Sequence, residues 1–515
     1  MADTQETRTS PHADFSGASH SLSSQGEAVG APGWNHDAQV IAAGANQIDQ
    51  GARVKRGFRT VLKNHYFLRL WMAQLISQTI MNAANYGLVV LIAQRSSSYL
   101  ATSFAIVAFA LPAMLFGAPA GVLVDRFDRR RVLWISNILR AVAAFIFSVS
   151  LFLDEKAILP AYAVSFFIAT VGQFFTPAEG AAIPLLVHQE ELINALSLFN
   201  ITFTIAQALG LIVLAPAIVA FTPVITIGSA TRNVQVQPID TLFLIVGLLY
   251  VACAVLILTI PKRKLRLQHP ERRAAHTHET DQLRSIWLGI VECSRFILAD
   301  RRLLIAVLQL SIGGTIVAIV ATIAPGFVQS FFNRPPEQAV LVFFPAGIGL
   351  VLGSAFTPKV VRHIGYNTAI GFGIVLFAVS ATLLVVVHAI AVTASPAHWD
   401  SSFAYLGSAI LLTFLIGVAL DFVTVPAQTV MQERSPDWIK GRVLSVQAMI
   451  LNGVTVAVVP LMGFAADRFG IAIAVVILAI VVTATGLPAA YLAAHTHGPA
   501  ENAAPSERPL KQTHP

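Results

Sequence analysis

Twelve long apolar stretches constrain the fold of this chain more than any other feature. A membrane-spanning helix needs about 20 apolar residues, and each stretch has about that length. Lipid-exposed backbone can satisfy its polar groups only in a helix or a closed barrel, and the stretches lack the period-2 alternation of barrel strands. Only 12% of the residues are charged, against about 25% in soluble domains. We therefore predict an all-α integral membrane protein with twelve transmembrane helices. Spans 1 to 12 cover residues 70–93, 100–123, 132–153, 158–180, 193–216, 241–261, 303–327, 338–357, 367–389, 403–426, 443–465 and 471–493.

The segments outside the spans divide the chain into predicted parts. Both ends are rich in small and polar residues, and no charged-then-apolar signal peptide opens the chain. We predict a disordered amino-terminal tail (1–60), a six-helix bundle (61–261), a linker (262–302), a second six-helix bundle (303–494) and a disordered carboxy-terminal tail (495–515).

The basic residues crowd onto one predicted side of the membrane. With a cytoplasmic amino terminus, the outer loops hold only Arg95, Lys156, Arg232, Arg334 and Arg468 of the 34 Lys and Arg residues. This positive-inside bias predicts a multi-pass cell-membrane protein with both termini in the cytoplasm. The net charge of +7 then follows from topology and anionic lipid, so it does not indicate nucleic acid. The two cysteines fit neither a disulfide framework nor a metal site, and no cofactor is predicted.

The linker is polar and basic, but its second part carries apolar residues largely on one helical face. These residues are Leu283, Ile286, Trp287, Ile290, Phe296 and Ile297. The pattern predicts an amphipathic helix at the inner membrane surface. The alternative is a merely solvated linker.

Features of the first six spans recur in the last six. Span 2 carries Pro-Ala and then Gly117 and Gly121, whereas span 8 carries Pro-Ala and then Gly349 and Gly353. Spans 4 and 10 both end in Pro-Ala with Glu or Gln, a short polar loop and a Leu-Ser that opens the next span. We therefore predict two six-helix pseudo-repeats around a central cavity, which is a transporter architecture.

A charge cluster follows span 2 in the stretch GVLVDRFDRRR, residues 121–131. Gly117 and Gly121 allow close approach of another helix, and Asp125 lies where span 2 leaves the membrane. A carboxylate there can cap the positive amino-terminal end of a neighbouring helix, which stabilises the contact by roughly 0.3–2 kcal/mol. We predict a conformational latch formed by these residues and by basic neighbours. The basic neighbours are Arg126, Arg129, Arg130 and Arg131. Alternatively, the arginines only fix the topology.

The same stretch resembles the loop 2–3 signature of the major facilitator superfamily. Within this superfamily the chain resembles the bacterial drug- and macrolide-efflux group, to which siderophore and lysophospholipid carriers also belong. The resemblance covers roughly residues 60–495 and includes the stretches VECSRFILADRRLL, GRVLS and GFAADRFG. The resemblance implies that Asp125 holds helix 2 to helix 11 in the outward-facing state. Helix 11 begins here at Gly441 and Arg442. In the second half Thr357 stands where the first half has Asp125, so any latch there is weaker.

Polar residues recur at helical spacing in spans 1, 4 and 10. Amide and carboxylate groups facing lipid would each cost several kcal/mol, so these stripes should face protein or water. The stripes are Gln74, Gln78, Asn82 and Asn85; Ser165, Gln173 and Thr176; and Thr413, Gly417, Asp421, Thr424 and Gln428. We predict that most of them line the central cavity, which agrees with the lining spans 1, 4, 7 and 10 of the resembled family. For the single Ser and Thr residues, hydrogen bonding between helices is the alternative.

Three charged residues lie inside predicted spans, namely Arg140, Glu179 and Asp421. Intramembrane ionisable groups indicate function, so we predict proton coupling first at Asp421, then at Glu179, with Arg140 as a partner. The alternatives are a static Arg140–Glu179 pair and an inner-surface position for Glu179. The resembled family often has an acidic residue in span 1, where this chain has Met81 and Asn82. The Gly and Pro that the resembled family carries as a pair in span 5 are also separated in this chain. Proton antiport is therefore implied more by the resemblance than by the residues.

These features together predict a secondary active transporter, and not an enzyme. Phosphate-binding loops, H-E-x-x-H zinc motifs and G-x-S-x-G elbows do not occur in the sequence. We expect a monomer that exports a bulky amphipathic small molecule, drug-, macrolide- or siderophore-like, by alternating access. One alternative is a lipid or lysophospholipid flippase. The other is a non-transporting membrane sensor or receptor, against which the polar stripes argue.

Overall fold

The fold is that of a computed structural model, which describes residues 58–96, 98–153, 158–188, 191–215, 217–218, 225–229, 232–236, 238–265, 279–396, 398–436 and 439–495. The predicted tails lie largely outside these residues. The side chains of Asp125 and Arg126 also lie outside the described part.

Twelve helices in the described part are long and apolar enough to cross a membrane, as the sequence predicts. In chain order they are α1 (His65–Arg95), α2 (Tyr99–Arg126), α3 (Arg129–Leu153), α4 (Leu159–Leu186), α5 (Leu192–Ala208, continued by the π-helix Leu209–Leu214), α6 (Pro238–Leu258), α7 (Arg301–Phe332), α8 (Val340–Ile364), α9 (Tyr366–Ala394), α10 (Phe403–Arg434), α11 (Lys440–Phe469) and α12 (Ile471–His495). A further helix between α6 and α7, the linker helix, covers Glu279–Ala299.

A short β-hairpin was not predicted. Strand β1 (Ile225–Ser229) pairs antiparallel with β2 (Arg232–Val236) in the connection between α5 and α6. Both strands alternate apolar and polar residues, which is the period-2 signal of a strand. The hairpin lies outside the membrane helices, so the fold class is unchanged.

The two halves of the chain fold into bundles with matching neighbours. In the first bundle (α1–α6), α2 packs on α4, and α3 packs on α4 and α6. In the second bundle (α7–α12), α8 packs on α10, and α9 packs on α10 and α12. Each of these contacts in one bundle thus has its counterpart in the other. This correspondence confirms the predicted pseudo-repeat.

The bundles meet mainly at one end. We call the end that carries the linker helix the linker end and the opposite end the far end. One buried apolar cluster joins both bundles and includes the far halves of α1, α7 and α11. At the linker end the buried apolar residues form two separate clusters, one in the first bundle and one in the second bundle with the linker helix. Among the described residues, the buried apolar core is therefore shared by both bundles at the far end and divided between them at the linker end.

The linker helix packs on the second bundle. Cys293 and Ile297 are buried against the ends of α7, α10 and α11, and Ile290 and Phe296 pack beside them. The predicted amphipathic helix therefore forms, but the part of its apolar face that the structure describes contacts protein. The side chains of Leu283, Ile286 and Trp287 lie outside the described part.

Two ion pairs accompany this contact. The Arg442 guanidinium lies 3.3 Å from the Glu292 carboxylate of the linker helix, and Arg434 lies 3.1 Å from Asp300. Asp300 also caps α7, since its Oδ1 accepts from the backbone N–H of Arg302 at 2.9 Å and of Leu303 at 3.2 Å. Burial raises the pKa of Asp300, but these hydrogen bonds and Arg434 outweigh it, so the pKa is lowered.

Candidate functional site

A charged cluster lies inside the first bundle, around Arg140 of α3. The side chain is only 2% exposed, and its Nη1 donates to Ser77 Oγ of α1 at 3.0 Å. The guanidinium also lies over two aromatic rings, 4.9 Å from the Phe175 centroid and 5.6 Å from the Tyr250 centroid. Four helices, α1, α3, α4 and α6, thus surround one buried cation. These contacts fix the position of the guanidinium inside the bundle.

Unpartnered polar atoms also lie buried in this bundle. Glu179 of α4 is 2% exposed, lies within electrostatic range of Arg140, and its Oε1 has no hydrogen-bond partner among the described residues. Gln74 of α1 is fully buried, and neither its Oε1 nor its Nε2 has a partner there. Buried polar groups are usually paired, and exceptions concentrate where function requires them. The cluster therefore has free capacity to bind a proton or to change partners.

The third predicted charge lies in the second bundle. Asp421 of α10 is 7% exposed, and its Oδ2 has no hydrogen-bond partner among the described residues. It faces Gly353 of α8, where a Cβ atom would lie 2.8 Å from Asp421 Oδ2. Gly349 and Gly417 likewise bring α8 and α10 into backbone contact. The structure thus brings Arg140 and Glu179 together and places Asp421 elsewhere.

The predicted polar stripes divide into buried and accessible parts. Gln74, Gln78 and Thr413 are at most 6% exposed, so in this conformation they lie within the bundles. Thr413 borders an apolar cavity that is lined by residues of α7 to α10 and α12. The partly or fully accessible members are Asn82, Asn85, Gln173, Thr176, Thr424 and Gln428. The accessible amides thus come from α1, α4 and α10, the three helices on which the stripes were predicted.

The predicted latch residues at the linker end make few contacts in this conformation. A Cβ atom added at Gly121 or Gly441 would meet nothing within 4 Å, and one at Gly117 would meet only Gln173 Oε1 at 3.8 Å. Arg442 instead pairs with Glu292. No close helix contact therefore forms at these glycines, which accords with the divided apolar core at this end.

Three basic residues of the predicted latch lie at the start of α3. Arg130 donates through Nη2 to the carbonyl of Leu258 at the end of α6. Arg129 is half-buried and Arg131 is exposed. The backbone N–H of Arg130 donates to Asp128 Oδ1 at 2.9 Å, so Asp128 supplies the cap of this helix.

Two residues of interest were not predicted. Gln309 of α7 is 3% exposed and its Nε2 has no partner in the described part, as for Gln74. A shared Gln-Leu pair early in the first helix of each half could have revealed it. The other is Asp467, at the far end of α11, which hydrogen-bonds to the first turn of α2.

The described residues contain no group of His, Cys, Asp and Glu side chains that could hold a metal ion.

Paired six-helix bundles with buried charges define a membrane transporter of the two-bundle class. The sequence profile described as Major Facilitator Superfamily matches residues 70–457. The chain therefore belongs to the major facilitator superfamily.

Similar proteins include efflux proteins and other transporters. Macrolide efflux protein A of Streptococcus pyogenes is 29% identical over 151 residues, covering 28% of this chain and 36% of that protein. The match thus spans about a third of that relative's length. An uncharacterized MFS-type transporter of Bacillus subtilis, YfiS, is 25% identical over 382 residues, covering 72% and 81%. The fold resembles a bacterial homolog of the human lysosomal transporter Spinster (TM-score 0.61, 13% identity, covering 84% and 96%).

Proposed function

We propose that this chain is a secondary active transporter that exports a bulky amphipathic small molecule from the cytoplasm by alternating access, coupled to proton antiport. The observation that carries the proposal is the buried apolar core, which joins the bundles at the far end and is divided between them at the linker end. The basic residues favour a cytoplasmic linker end. The present conformation is then inward-facing, which is also the conformation of the Spinster homolog in its crystal structure.

The substrate class rests on the efflux relatives and on the accessible polar residues. One of the matched relatives is a macrolide efflux protein. The amides of Asn82, Gln173 and Gln428 remain at least partly accessible on helices that otherwise present mainly apolar side chains. A few polar groups in a largely apolar cavity suit a molecule with both characters, such as a macrolide, drug or siderophore.

Proton coupling is proposed for Glu179 with Arg140 and for Asp421. A carboxylate can bind a proton in one conformation and release it in another if its surroundings change between them. Both carboxylates are buried here with an unpartnered oxygen. Alternating access would hydrate one or both. The latch of Gly117, Gly121, Asp125 and the neighbouring arginines would close the linker end against Gly441 and Arg442 in the outward-facing state.

Flux in proteoliposomes tests this proposal. We expect a radiolabelled macrolide to move against a proton gradient with the wild type, and to lose gradient dependence in Asp421→Asn and Glu179→Gln. Asp400→Asn is the matched control, because Asp400 Oδ2 accepts from Asn333 Nδ2 at 2.9 Å within the second bundle's exposed loops. Gradient-independent movement of lysophospholipid alone would replace the proposal with a flippase. The absence of flux for any amphiphile would favour a sensor.

A further inference from the structure

The far end of the bundle interface carries a contact that resembles the predicted latch. Helix α2 ends in Gly121-Val-Leu-Val-Asp125-Arg-Phe, and α11 ends in Gly463-Phe-Ala-Ala-Asp467-Arg-Phe. The spacing Gly-x-x-x-Asp-Arg-Phe is the same in both. The two helices run in opposite directions and pack on each other across the interface. Each helix therefore carries the motif where its partner begins, α2 at the linker end and α11 at the far end.

At the far end the motif of α11 is engaged. Asp467 Oδ1 accepts from the backbone N–H of Tyr99 at 2.6 Å, and its Oδ2 accepts from the N–H of Leu100 at 3.0 Å. Ser98 Oγ donates to Oδ2 at 2.6 Å and accepts from the N–H of Ala101. The carboxylate of one bundle thus caps the first turn of α2 in the other. The positive amino-terminal end of α2 stabilises this negative charge.

Glycines allow the helices to approach closely at this contact. A Cβ atom at Gly463 would lie 2.8 Å from the Tyr99 carbonyl oxygen and 3.0 Å from Leu100 Cα. On the other side of the same turn, the Tyr99 ring fills the space over Gly326 of α7, where a Cβ atom would collide with it. The first turn of α2 is therefore held between α11 and α7.

We propose that Gly463 and Asp467 form a far-end latch that holds the far end closed, and that it alternates with the Asp125 latch at the linker end. In the present conformation the Asp467 contact is formed, whereas a Cβ atom added at Gly121 or Gly441 at the linker end would meet nothing within 4 Å. Opening of the far end separates α2 from α11 and breaks the Asp467 cap. The inference rests on the proposed alternating access, but it is independent of the substrate and of proton coupling.

Distances between spin labels on the two bundles test the far-end latch. The labels replace Leu159 at the start of α4 and Phe403 at the start of α10, which are 76% and 92% exposed at the far end. Cys253 and Cys293, both buried, are replaced by Ala. We expect Asp467→Asn, which weakens the cap, and Gly463→Ala, which crowds the Tyr99 carbonyl, each to raise the ratio of open to closed far-end distances by about 2- to 30-fold, the range that corresponds to one helix cap. Asp125→Asn should shift the ratio in the opposite direction.

Two controls keep the measurement specific. Asp400→Asn removes a far-end carboxylate that bonds within one bundle, and Gly407→Ala adds a Cβ where nothing lies within 4 Å. Both should leave the ratio within about twofold of the wild type. The same result for Asp467→Asn and Gly463→Ala would overturn the latch. Gly463→Ala keeps the carboxylate, so it decides the matter alone if Asp467→Asn does not yield a monodisperse protein. A wild type that never opens at the far end would refute alternating access as well.

Discussion

Removal of the buried cation at Arg140 tests the charged cluster most sharply. Arg140→Met keeps an unbranched apolar stem but deletes the guanidinium that bonds Ser77 and covers the rings of Phe175 and Tyr250. It also leaves Glu179, which is 2% exposed, without its nearby positive charge. Glu179→Gln removes the carboxylate charge and retains nearly the same shape.

The expected magnitude follows from these contacts. A hydrogen bond from a charged group contributes about 1.5–3 kcal/mol, and each desolvated cation–π contact contributes about 0.5–2 kcal/mol. Arg140→Met also removes the desolvation penalty of a buried cation, and this gain offsets part of the loss. We therefore expect Arg140→Met to lower the free energy of unfolding by about 3–5 kcal/mol, the range for breaking a buried charge pair. In the double variant Arg140→Met/Glu179→Gln the loss should be smaller than the sum, because no isolated carboxylate remains.

Unfolding in mixed detergent micelles, with a double-mutant cycle, provides the measurement. We expect a coupling free energy above about 1 kcal/mol between Arg140 and Glu179. The control cycle pairs Arg140→Met with Glu292→Gln, because Glu292 is exposed on the linker helix and bonds Arg442. That cycle should be additive within about 0.5 kcal/mol. Equal additivity in the Glu179 cycle would show that the two side chains act independently and would refute the reasoning.

Two further predictions concern the helix contacts. Gly417→Ala should lower the free energy of unfolding by about 1–3 kcal/mol, because the added Cβ would collide with the Ala346 carbonyl oxygen. Thermal unfolding, with Gly407→Ala as the control variant, measures this loss. Equal melting temperatures of the two variants would contradict it. The lowered pKa of Asp300 means that its cap and its pair with Arg434 stabilise above the ordinary aspartate pKa of about 3.9 and weaken as pH falls through the lowered value. Hydrogen exchange in the first turn of α7 should therefore rise in acid, and Arg434→Gln should move the transition to higher pH; an unchanged transition would contradict the pairing.

The sequence predicts the membrane helices well, because hydrophobicity and length alone decide whether a segment spans a bilayer. The repeat was predictable from Gly349 and Gly353, whose lack of side chains does bring α8 onto α10. The presence of charges inside spans pointed to Arg140 and Glu179. The sequence left a pair of Arg140 and Glu179 only as an alternative, because their proximity depends on how α3 and α4 are rotated against each other.

Other features of the site could not be predicted from the sequence, because they depend on how the helices pack. The sequence marks Gln74 as polar on a helical face, but it does not reveal that the side chain is fully buried within the bundle. Asp467 lay in a stretch noted only for its family resemblance, and its contact with Tyr99 joins residues 368 positions apart. Comparison of the chain with itself would have shown that GFAADRF repeats the spacing of GVLVDRF. The helix that Asp467 caps is known only from the fold.

The central claim is that the two bundles open at opposite ends in alternation, and paired distances in the wild type test it most directly. One label pair replaces Leu159 and Phe403 at the far end, and a second replaces His188 and Ile364, exposed at the linker ends of α4 and α8. On addition of a macrolide or a change of pH, the far-end distance should lengthen while the linker-end distance shortens. Two distances that stay fixed, or that lengthen together, would contradict the account.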